Sequence, residues 1–241
     1  RNGEALEELI AEIRATGGQA YAFSCDVTDS AAVDRTVTDI LERFGHVDYL
    51  VNNAGRSIRR SVMASTDRLH DYERVMAVNY FGPVRMVLAL LPHWRERRFG
   101  HVVNVSSVFG LFAVPGQAAY NSAKFAVRGF TEALRQEMAL AGHPVKVSCV
   151  HPGGIKTAIA RNATAAEGLD PGELAKVFDA KLASTTPEKA AEVILDGVRK
   201  NKARILIGRD AKMFEIVIRA FGPHYQSLFP KVVSRLVGPS R

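Results

Sequence analysis

Apolar residues recur along this chain with two different periods, and segments with one period alternate with segments with the other. Spacings of three and four predict helices at residues 3–16, 30–44, 71–97, 120–138 and 187–200. Short apolar runs predict strands at residues 19–25, 48–51, 101–106, 145–150 and 203–207. Because strands alternate with helices, we expect right-handed crossovers between parallel strands. The pattern therefore predicts an α/β fold with a doubly wound, mostly parallel sheet flanked by helices.

The last part of the chain differs from the rest in charge. Residues 199–241 contain ten lysines and arginines and two acidic residues, so they carry +8 in a chain whose net charge is +7. Two amphipathic runs within residues 210–237 are separated by Gly222 and Pro223. We predict one α/β domain over residues 1–208 and a basic amphipathic C-terminal extension over residues 209–241. In a first interpretation the extension packs over the domain or against a subunit, and in a second it contacts an anionic membrane weakly.

Composition argues against several other classes of protein. Cys25 and Cys149 each end a predicted strand and are expected to be reduced, and the seven histidines show no metal-ligand spacing. No apolar run approaches the roughly 20 residues of a membrane span and no signal peptide is visible, so we expect a cytoplasmic protein. The positive charge is typical of nucleic-acid binding, but no recognition motif accompanies it. We therefore expect neither a metal site nor a nucleic-acid partner.

A tyrosine and a lysine lie one helical turn apart at the start of the helix predicted over residues 120–138. Tyr120 and Lys124 are four positions apart and so share one helix face. A neighbouring ammonium favours phenolate over phenol and is expected to lower the tyrosine pKa from about 10 towards neutral pH. Such a phenol can exchange a proton with a carbonyl or alcohol oxygen. The pair alone is weak evidence, because the same spacing occurs by chance on surface helices.

Small and polar residues follow four of the predicted strands. In a parallel sheet the carboxyl ends of the strands meet at one edge, and ligands bind there. The residues concerned are Asp26, the turn Asn52-Asn53-Ala54-Gly55, the pair Ser106-Ser107 and the turn Pro152-Gly153-Gly154. Core packing does not account for four loops of this kind at one edge, so we expect a binding site there.

These motifs, taken together and in order, are specific. They are Asp26-Val27, Asn52-Asn53-Ala54-Gly55, Asn79 in VNYFG, Val105-Ser106-Ser107, Tyr120-x-x-x-Lys124 and Pro152-Gly153 followed by Thr157. Ser107 precedes Tyr120 by thirteen positions. Over its whole length the chain resembles the short-chain dehydrogenase/reductase family, whose fold is Rossmann-like. The resemblance implies an NAD(P)-dependent oxidoreductase that transfers hydride between NAD or NADP and a carbonyl or alcohol substrate.

Four residues match catalytic positions of that family. The resemblance makes Tyr120 the general acid/base and Lys124 the residue that lowers its pKa and binds the nicotinamide ribose. Ser107 matches the hydroxyl that orients the substrate carbonyl, and Asn79 the residue that holds a water linking the lysine to solvent. The alternatives are a helix-face tyrosine, a solvated lysine, a strand-end cap and an asparagine with a structural role.

The resemblance also implies a set of cofactor contacts. Asp26 and Val27 match the adenine contact, and the alternative for Asp26 is the N-cap of the next helix. The turn that contains Asn53 is expected to lie against the cofactor, and Asn53 is also expected to bond neighbouring strands. His151 replaces an asparagine common in relatives, and we interpret it as a variant and not as a second base. The full set is Asp26, Val27, Asn53, Ala54, Gly55, Tyr120, Lys124, Pro152, Gly153, Ile155 and Thr157, where a plain Pro-Gly turn is the alternative for the last four.

One feature of the family is absent from residues 1–241. No glycine-rich phosphate loop precedes residue 52, and the first predicted helix matches the one after the family's second strand. We therefore expect an N-terminal truncation that removes the first βαβ unit. The residue that selects NAD or NADP belongs to that unit, so the preference between the two cofactors stays open.

The resemblance implies a small-molecule substrate and a homodimer or homotetramer. The run Arg56-Ser57-Ile58-Arg59-Arg60 places positive charge near the expected cleft, which fits an acidic or CoA-type substrate or simply a solvated loop. Residues 155–186 are expected to form a lid over the cleft. A non-catalytic dinucleotide-binding or partner-binding scaffold of the same fold is the alternative function. The presence of Ser107, Tyr120 and Lys124 together argues against that alternative.

Overall fold

The computed structural model describes residues 3–156, 164–165 and 185–227. Helices α1 to α7 span Gly3–Ala15, Ser30–Phe44, Leu69–Met76, Gly82–Arg97, Ala118–Leu140, Pro187–Arg199 and Arg209–Phe221. Strands β1 to β6 span Tyr49–Asn52, Ile58–Arg59, Gly100–Val105, Val145–Pro152, Thr164–Ala165 and Arg204–Ile207. Most of these bounds lie within about two residues of the predicted ones. Thr157 and most of the predicted lid lie outside the described residues.

The main sheet has four parallel strands in the order β1-β3-β4-β6. Every adjacent pair is joined by a helical connection, and the prediction of a mostly parallel sheet flanked by helices is confirmed. Strand β1 pairs with β3 along one edge, and no described strand lies along its other edge. A separate pair of two-residue strands, β2 and β5, is also parallel and joins Ile58–Arg59 to Thr164–Ala165.

Two apolar layers cover the two faces of this sheet. Successive residues of a strand point to opposite faces, so Val102 packs against α2, α4 and α5 whereas Val103 packs against α6. The indole of Trp94 is fully buried in the first layer, and its Nε1 donates to the carbonyl of Val47 at 2.8 Å. A side chain at Gly100 would lie 2.5 Å from the Trp94 ring, so only glycine fits where β3 begins.

Local sequence signals account for the helix ends. The carboxylate of Asp29 accepts the backbone N–H groups of Ala31 and Ala32 and so caps α2. At the other end Gly45 adopts a φ of 77°, the left-handed conformation that favours glycine. Pro187 starts α6 behind the N-cap Thr186, whose hydroxyl accepts from Lys189 N.

The helix predicted over residues 71–97 consists of three segments. Between α3 and α4 lies a π-helical stretch, Ala77–Phe81, and Pro83 falls in the first turn of α4. In length and composition the combined stretch Leu69–Arg97 would suffice to cross a membrane, which the sequence pattern did not predict. Val75 and Trp94 within it are fully buried in two core clusters. We therefore interpret it as a core helix of the domain.

The prediction of a strand over residues 19–25 is wrong. These residues have no strand pairing in the described part of the chain, and Tyr21 is 43% exposed. The aromatic residues that suggested a buried strand instead contact the C-terminal end of α2. Tyr21 and Phe23 pack against Phe44, and the Arg43 guanidinium lies 4.4 Å from the Tyr21 ring centre. Without a neighbouring strand to take its hydrogen bonds, the segment has no ladder to join.

Helix α7 opens the region predicted as an extension. Phe214 and Ile218 pack on a buried cluster that includes Leu111 and Phe112 from the loop after β3. The predicted break is confirmed, since α7 ends at Phe221 and a short 3₁₀ turn follows at Gly222–His224. The described part of the extension therefore packs over the domain, whereas the division of the chain at residue 208 stays a prediction.

Candidate active site

Tyr120, Lys124 and Ser107 meet at the carboxyl edge of the sheet. Tyr120 and Lys124 lie in the first two turns of α5, and Ser107 follows directly after β3. The Lys124 Nζ lies 5.5 Å from the centre of the Tyr120 ring, and the Tyr120 hydroxyl is hydrogen bonded to the Ser107 side chain. All three are buried, with Tyr120 8% and Lys124 3% exposed. The structure therefore brings together the three residues that the sequence placed at one site.

The tyrosine pKa does not move in the direction that the sequence predicted. Burial raises the pKa of Tyr120 to about 12, and the hydrogen bond from Ser107 opposes this rise only in part. Burial also lowers the pKa of Lys124 to about 8. Desolvation disfavours the charged form of both groups, and it is the largest effect on each of the two pKa values. In this state Tyr120 is a phenol, and the expectation of a lowered tyrosine pKa is wrong for the chain alone.

The Lys124 ammonium is held by the strand beside it. Its Nζ donates to the backbone carbonyl of Val105 at 2.9 Å. An ammonium has three N–H donors, so two remain for a ligand. Lys124 is thus oriented towards the end of β3, where Ser107 also lies.

Ser106 and Gly110 support this lysine, although neither was predicted as a catalytic or cofactor-binding residue. The fully buried Ser106 hydroxyl donates to the backbone carbonyl of Lys124 at 2.8 Å, which fixes α5 against the end of β3. A Cβ atom at Gly110 would lie 2.4 Å from that hydroxyl oxygen and 2.6 Å from the Lys124 carbonyl oxygen. The sequence signal that could have identified this support is a glycine, Gly110, shortly after the Ser106-Ser107 pair at the end of a predicted strand.

Asn79 lies in the π-helical stretch and is almost fully buried. Its side-chain oxygen accepts the backbone N–H of Arg56, and its side-chain nitrogen donates to the Arg56 carbonyl, both at 2.8 Å. The side chain therefore clamps the loop that follows the Asn52–Gly55 turn. π-Helical turns often mark functional sites. The predicted water-holding role of Asn79 stays a prediction.

The asparagine that bonds neighbouring strands is Asn52 and not Asn53. The Asn52 amide donates to the Asn104 side chain at 2.8 Å, and Asn104 in turn donates to the Thr131 hydroxyl at 2.9 Å. These contacts link β1, β3 and α5 at Asn52, the last residue of β1. Residues Asn53, Ala54 and Gly55 are exposed at the carboxyl end of β1, where a ligand can approach their backbone.

Asp26 and Val27 form a turn just before α2. The Asp26 carboxylate accepts from the backbone N–H and the hydroxyl of Thr28 at 2.9 and 2.7 Å. Asp29, and not Asp26, is the N-cap of α2. Val27 packs against Gly82, where a Cβ atom would come within 2.9 Å of it. The turn is thus attached to the start of α4, and its predicted adenine contact stays a prediction.

The segment after β4 is tied to both β6 and α7. Gly153 N donates to the Ile207 carbonyl at 2.9 Å, and Gly154 N donates to the Asp210 carboxylate at 2.8 Å. Ile155 forms a parallel bridge with Thr185, which brings together the two ends of the predicted lid. Pro152, Gly153 and Ile155 therefore lie at the same sheet edge as Lys124, whereas the predicted contact at Thr157 lies outside the described residues.

His151 is fully buried in β4 and contacts the loop that follows β3 at Ser107. Its Nδ1 lies 2.9 Å from the Ser107 carbonyl, which can only accept, so Nδ1 carries the proton. Burial lowers the pKa of His151 to about 4, against the opposing effect of that hydrogen bond. A neutral imidazole that holds the Ser107 backbone is a positioning group, in line with its interpretation as a variant and not as a base.

The neutral state of His151 predicts how stability depends on pH. Unfolded His151 takes up a proton near pH 6.5, whereas folded His151 does so near pH 4, so the unfolded chain binds more protons between these values. This difference contributes roughly 3 kcal/mol to the free energy of unfolding. The contribution is complete above pH 6.5 and is lost as the pH falls to 4. We expect His151→Asn to make acid destabilisation shallower, as measured by urea unfolding between pH 4 and 7.

His101 contributes a second loss over the same range, because burial lowers its pKa to about 4 as well. In His151→Asn the slope of the unfolding free energy against pH should therefore decrease by the equivalent of about one bound proton and should not vanish. His224→Asn, which removes an exposed imidazole, is the matched control. An unchanged slope in His151→Asn would show that His151 is already charged in the folded protein.

No cluster of histidine, cysteine, aspartate or glutamate that could hold a metal ion occurs among residues 3–156, 164–165 and 185–227. Cys149 is buried, and burial raises the pKa of its thiol to about 12. Cys25 is also a free thiol.

The amino-acid sequence was compared with those of known proteins. The sequence profile of the short chain dehydrogenase family matches residues 1–168. SadH of Mycobacterium tuberculosis, which is named as an oxidoreductase, is 47% identical over 232 residues, which are 96% of this chain and 83% of that protein. A fatty acyl-CoA reductase of Acinetobacter baylyi is 38% identical over 205 residues, which are 85% of this chain and 64% of the reductase.

Solved structures give the same picture. A short-chain dehydrogenase from Streptomyces avermitilis superposes with a TM-score of 0.78 at 32% identity, covering 97% of this chain and 86% of that one. A short chain dehydrogenase/reductase from Burkholderia phymatum, solved in complex with NAD, has a TM-score of 0.76 at 27% identity. That match covers 91% of this chain and 79% of the Burkholderia chain.

Proposed function

This chain belongs to the short-chain dehydrogenase family, and from that membership we propose that it interconverts a carbonyl and an alcohol with NAD or NADP as cofactor. The observation that carries the proposal is the buried group of Ser107, Tyr120 and Lys124 at the carboxyl edge of the parallel sheet. Ligands bind at that edge in open α/β sheets. A scaffold without activity needs no proton donor at this edge, so the buried phenol of Tyr120 favours catalysis over that alternative.

The described residues fit a nicotinamide dinucleotide. Lys124 has donors to spare for a ribose, and the exposed turn Asn53–Gly55 offers backbone to a planar ring or a phosphate. The turn at Asp26 and Val27 and the segment Pro152–Ile155 would flank it at the same edge. When bound, the dinucleotide supplies or accepts the hydride. The family's glycine-rich phosphate loop is not among residues 1–241, so the preference between NAD and NADP stays open.

The side chains then account for the movement of the proton. In the reductive direction Tyr120 donates its phenolic proton to the carbonyl oxygen, and Ser107 donates a hydrogen bond to the same oxygen. Because burial raises the tyrosine pKa, Tyr120 holds this proton at neutral pH. Lys124, charged below about pH 8, stabilises the phenolate that forms when the proton leaves.

The residues around the site indicate less about the substrate than about the cofactor. The half-buried Phe109 contacts the Tyr120 ring edge to face, with 6.4 Å between the ring centres, so it can line an apolar subsite. Phe112, in contrast, is a core residue beneath α7. Together with the fatty acyl-CoA reductase among the relatives, this favours an apolar aldehyde or acyl substrate.

The proposal is tested by oxidation of NADH and NADPH with three substrate classes: short aldehydes, long-chain aldehydes and acyl-CoA thioesters. We expect turnover with at least one class, and higher turnover with the long-chain substrates than with the short ones. Tight cofactor binding without turnover of any substrate would instead favour the non-catalytic scaffold. Cofactor binding is measured separately by quenching of the Trp94 fluorescence or by calorimetry, so the two outcomes are distinct.

A further inference from the structure

Among the residues that the structure describes, helix α7 packs against the domain along one side only. Ala211 is fully buried, and Phe214 and Ile218 pack on the cluster beneath it. These residues recur at spacings of three and four, so they form one face of the helix. The opposite face is held rigidly towards solvent by this packing.

The outward face combines large apolar side chains with cations. Met213 is 53% and Ile216 69% exposed, three positions apart. Arg209 and Lys212 lie on the same face at helical spacing and are also exposed. Exposed apolar residues at the centre of a helix face, flanked by cations, are typical of helices that lie in a membrane interface.

The two acidic residues of α7 do not offset these cations. Asp210 accepts the backbone N–H of Gly154 at 2.8 Å. Glu215 is 17% exposed in its side chain and pairs with Arg204 at 2.7 Å and with Arg219 at 2.9 Å. Both carboxylates are used inside the protein, so the outward face presents positive charge. The sequence keeps this sign beyond the helix, since residues 216–241 contain no aspartate or glutamate.

We propose that the outward face of α7, formed by Arg209, Lys212, Met213 and Ile216, binds an anionic lipid surface. The helix has 13 residues and so measures about 20 Å, which is too short to span a bilayer and suits a helix lying parallel to it. Met213 and Ile216 enter the boundary between headgroups and acyl chains, and Arg209 and Lys212 meet the lipid phosphates.

A second copy of this chain fits the face less well. Symmetric pairing through α7 would bring Arg209 and Lys212 of each copy close to the same residues of the other. Like charges placed opposite each other disfavour such an interface. An anionic lipid surface matches the cations and the apolar residues at the same time.

The test is flotation of the full chain with two kinds of vesicle: pure phosphatidylcholine, and phosphatidylcholine mixed with phosphatidylglycerol. We expect binding to the mixed vesicles that weakens with added salt, and little binding to the neutral ones. Two double variants probe the face: Met213→Ser with Ile216→Ser, and Arg209→Glu with Lys212→Glu. Each is expected to weaken partitioning by roughly tenfold or more.

The matched controls remove equally exposed groups elsewhere. Leu140→Ser replaces an apolar residue that is 91% exposed at the end of α5, and Arg74→Glu reverses an exposed cation of α3. Both should bind the vesicles as the wild type does. Wild-type partitioning by both face variants would overturn the proposal, and so would equal binding to neutral vesicles. A change of oligomeric state in the face variants, with no vesicle binding by the wild type, would assign the face to a second copy and also overturn it.

Discussion

Replacement of Tyr120 with phenylalanine is expected to lower turnover by at least about 100-fold, the usual scale for loss of a general acid/base. The substitution removes only the hydroxyl, which is hydrogen bonded to Ser107 and carries the transferable proton. The ring stays in place and keeps its contact with Phe109, so we expect cofactor affinity to be retained. Steady-state turnover at saturating cofactor, together with a separate measurement of cofactor binding, checks both parts.

Tyr49→Phe is the matched control, because it removes a tyrosine hydroxyl from a side chain that is 55% exposed and lies at the far end of β1. It should turn over substrate at the wild-type rate. Near-normal turnover in Tyr120→Phe would remove Tyr120 from the proton-transfer role. The membership of the family would stand in that case, since it rests on the whole chain.

Replacement of Gly110 with alanine is expected to impair both stability and turnover. The new methyl group would lie 2.6 Å from the Lys124 carbonyl oxygen, and a backbone atom cannot give way as a flexible side chain can. Overpacking of this kind typically costs 1–3 kcal/mol. Because relief requires α5 to move, Lys124 and Tyr120 are displaced as well, and we expect turnover to fall by about tenfold or more. Thermal unfolding and steady-state kinetics measure the two effects.

Gly129→Ala in the same helix provides the contrast. Apart from its chain neighbours and the backbone of its own helix, no atom lies within 4 Å of the position of its new methyl group. Alanine is a better helix former than glycine, so this variant should be neutral or more stable by about 0.5–1 kcal/mol, with normal turnover. Equal behaviour of the two alanine variants would mean that the contact between Gly110 and Lys124 is not as tight as described.

The sequence predicted the sheet and the proximity of Ser107, Tyr120 and Lys124 because both follow local rules. Apolar periodicity places the helices and the parallel strands, and carboxyl ends of parallel strands share one edge. Tyr120 and Lys124 are one turn apart, so their proximity follows from the helix itself. Ser107 directly follows β3, so it lies at the carboxyl edge of the parallel sheet, where Tyr120 and Lys124 also lie. Neither prediction requires information about how segments distant in sequence pack against each other.

The parts that the sequence did not predict depend on distant packing. The direction of the Tyr120 pKa depends on how deeply the ring is buried, which the spacing to Lys124 does not reveal. The support that Ser106 gives to Lys124 depends on how closely α5 approaches β3. The prediction of a strand over residues 19–25 fails because its aromatic side chains contact the end of α2 and not a sheet.

Strand β1 has a consequence for how the chain behaves in solution. Within the described part of the chain its N–H and C=O groups pair with β3 on one side only, and Tyr49 and Val51 are 55% and 52% exposed. An open strand edge that carries apolar side chains is a template for intermolecular pairing. Self-association and aggregation of the isolated chain should therefore begin at this strand, next to the turn where the dinucleotide is proposed to bind.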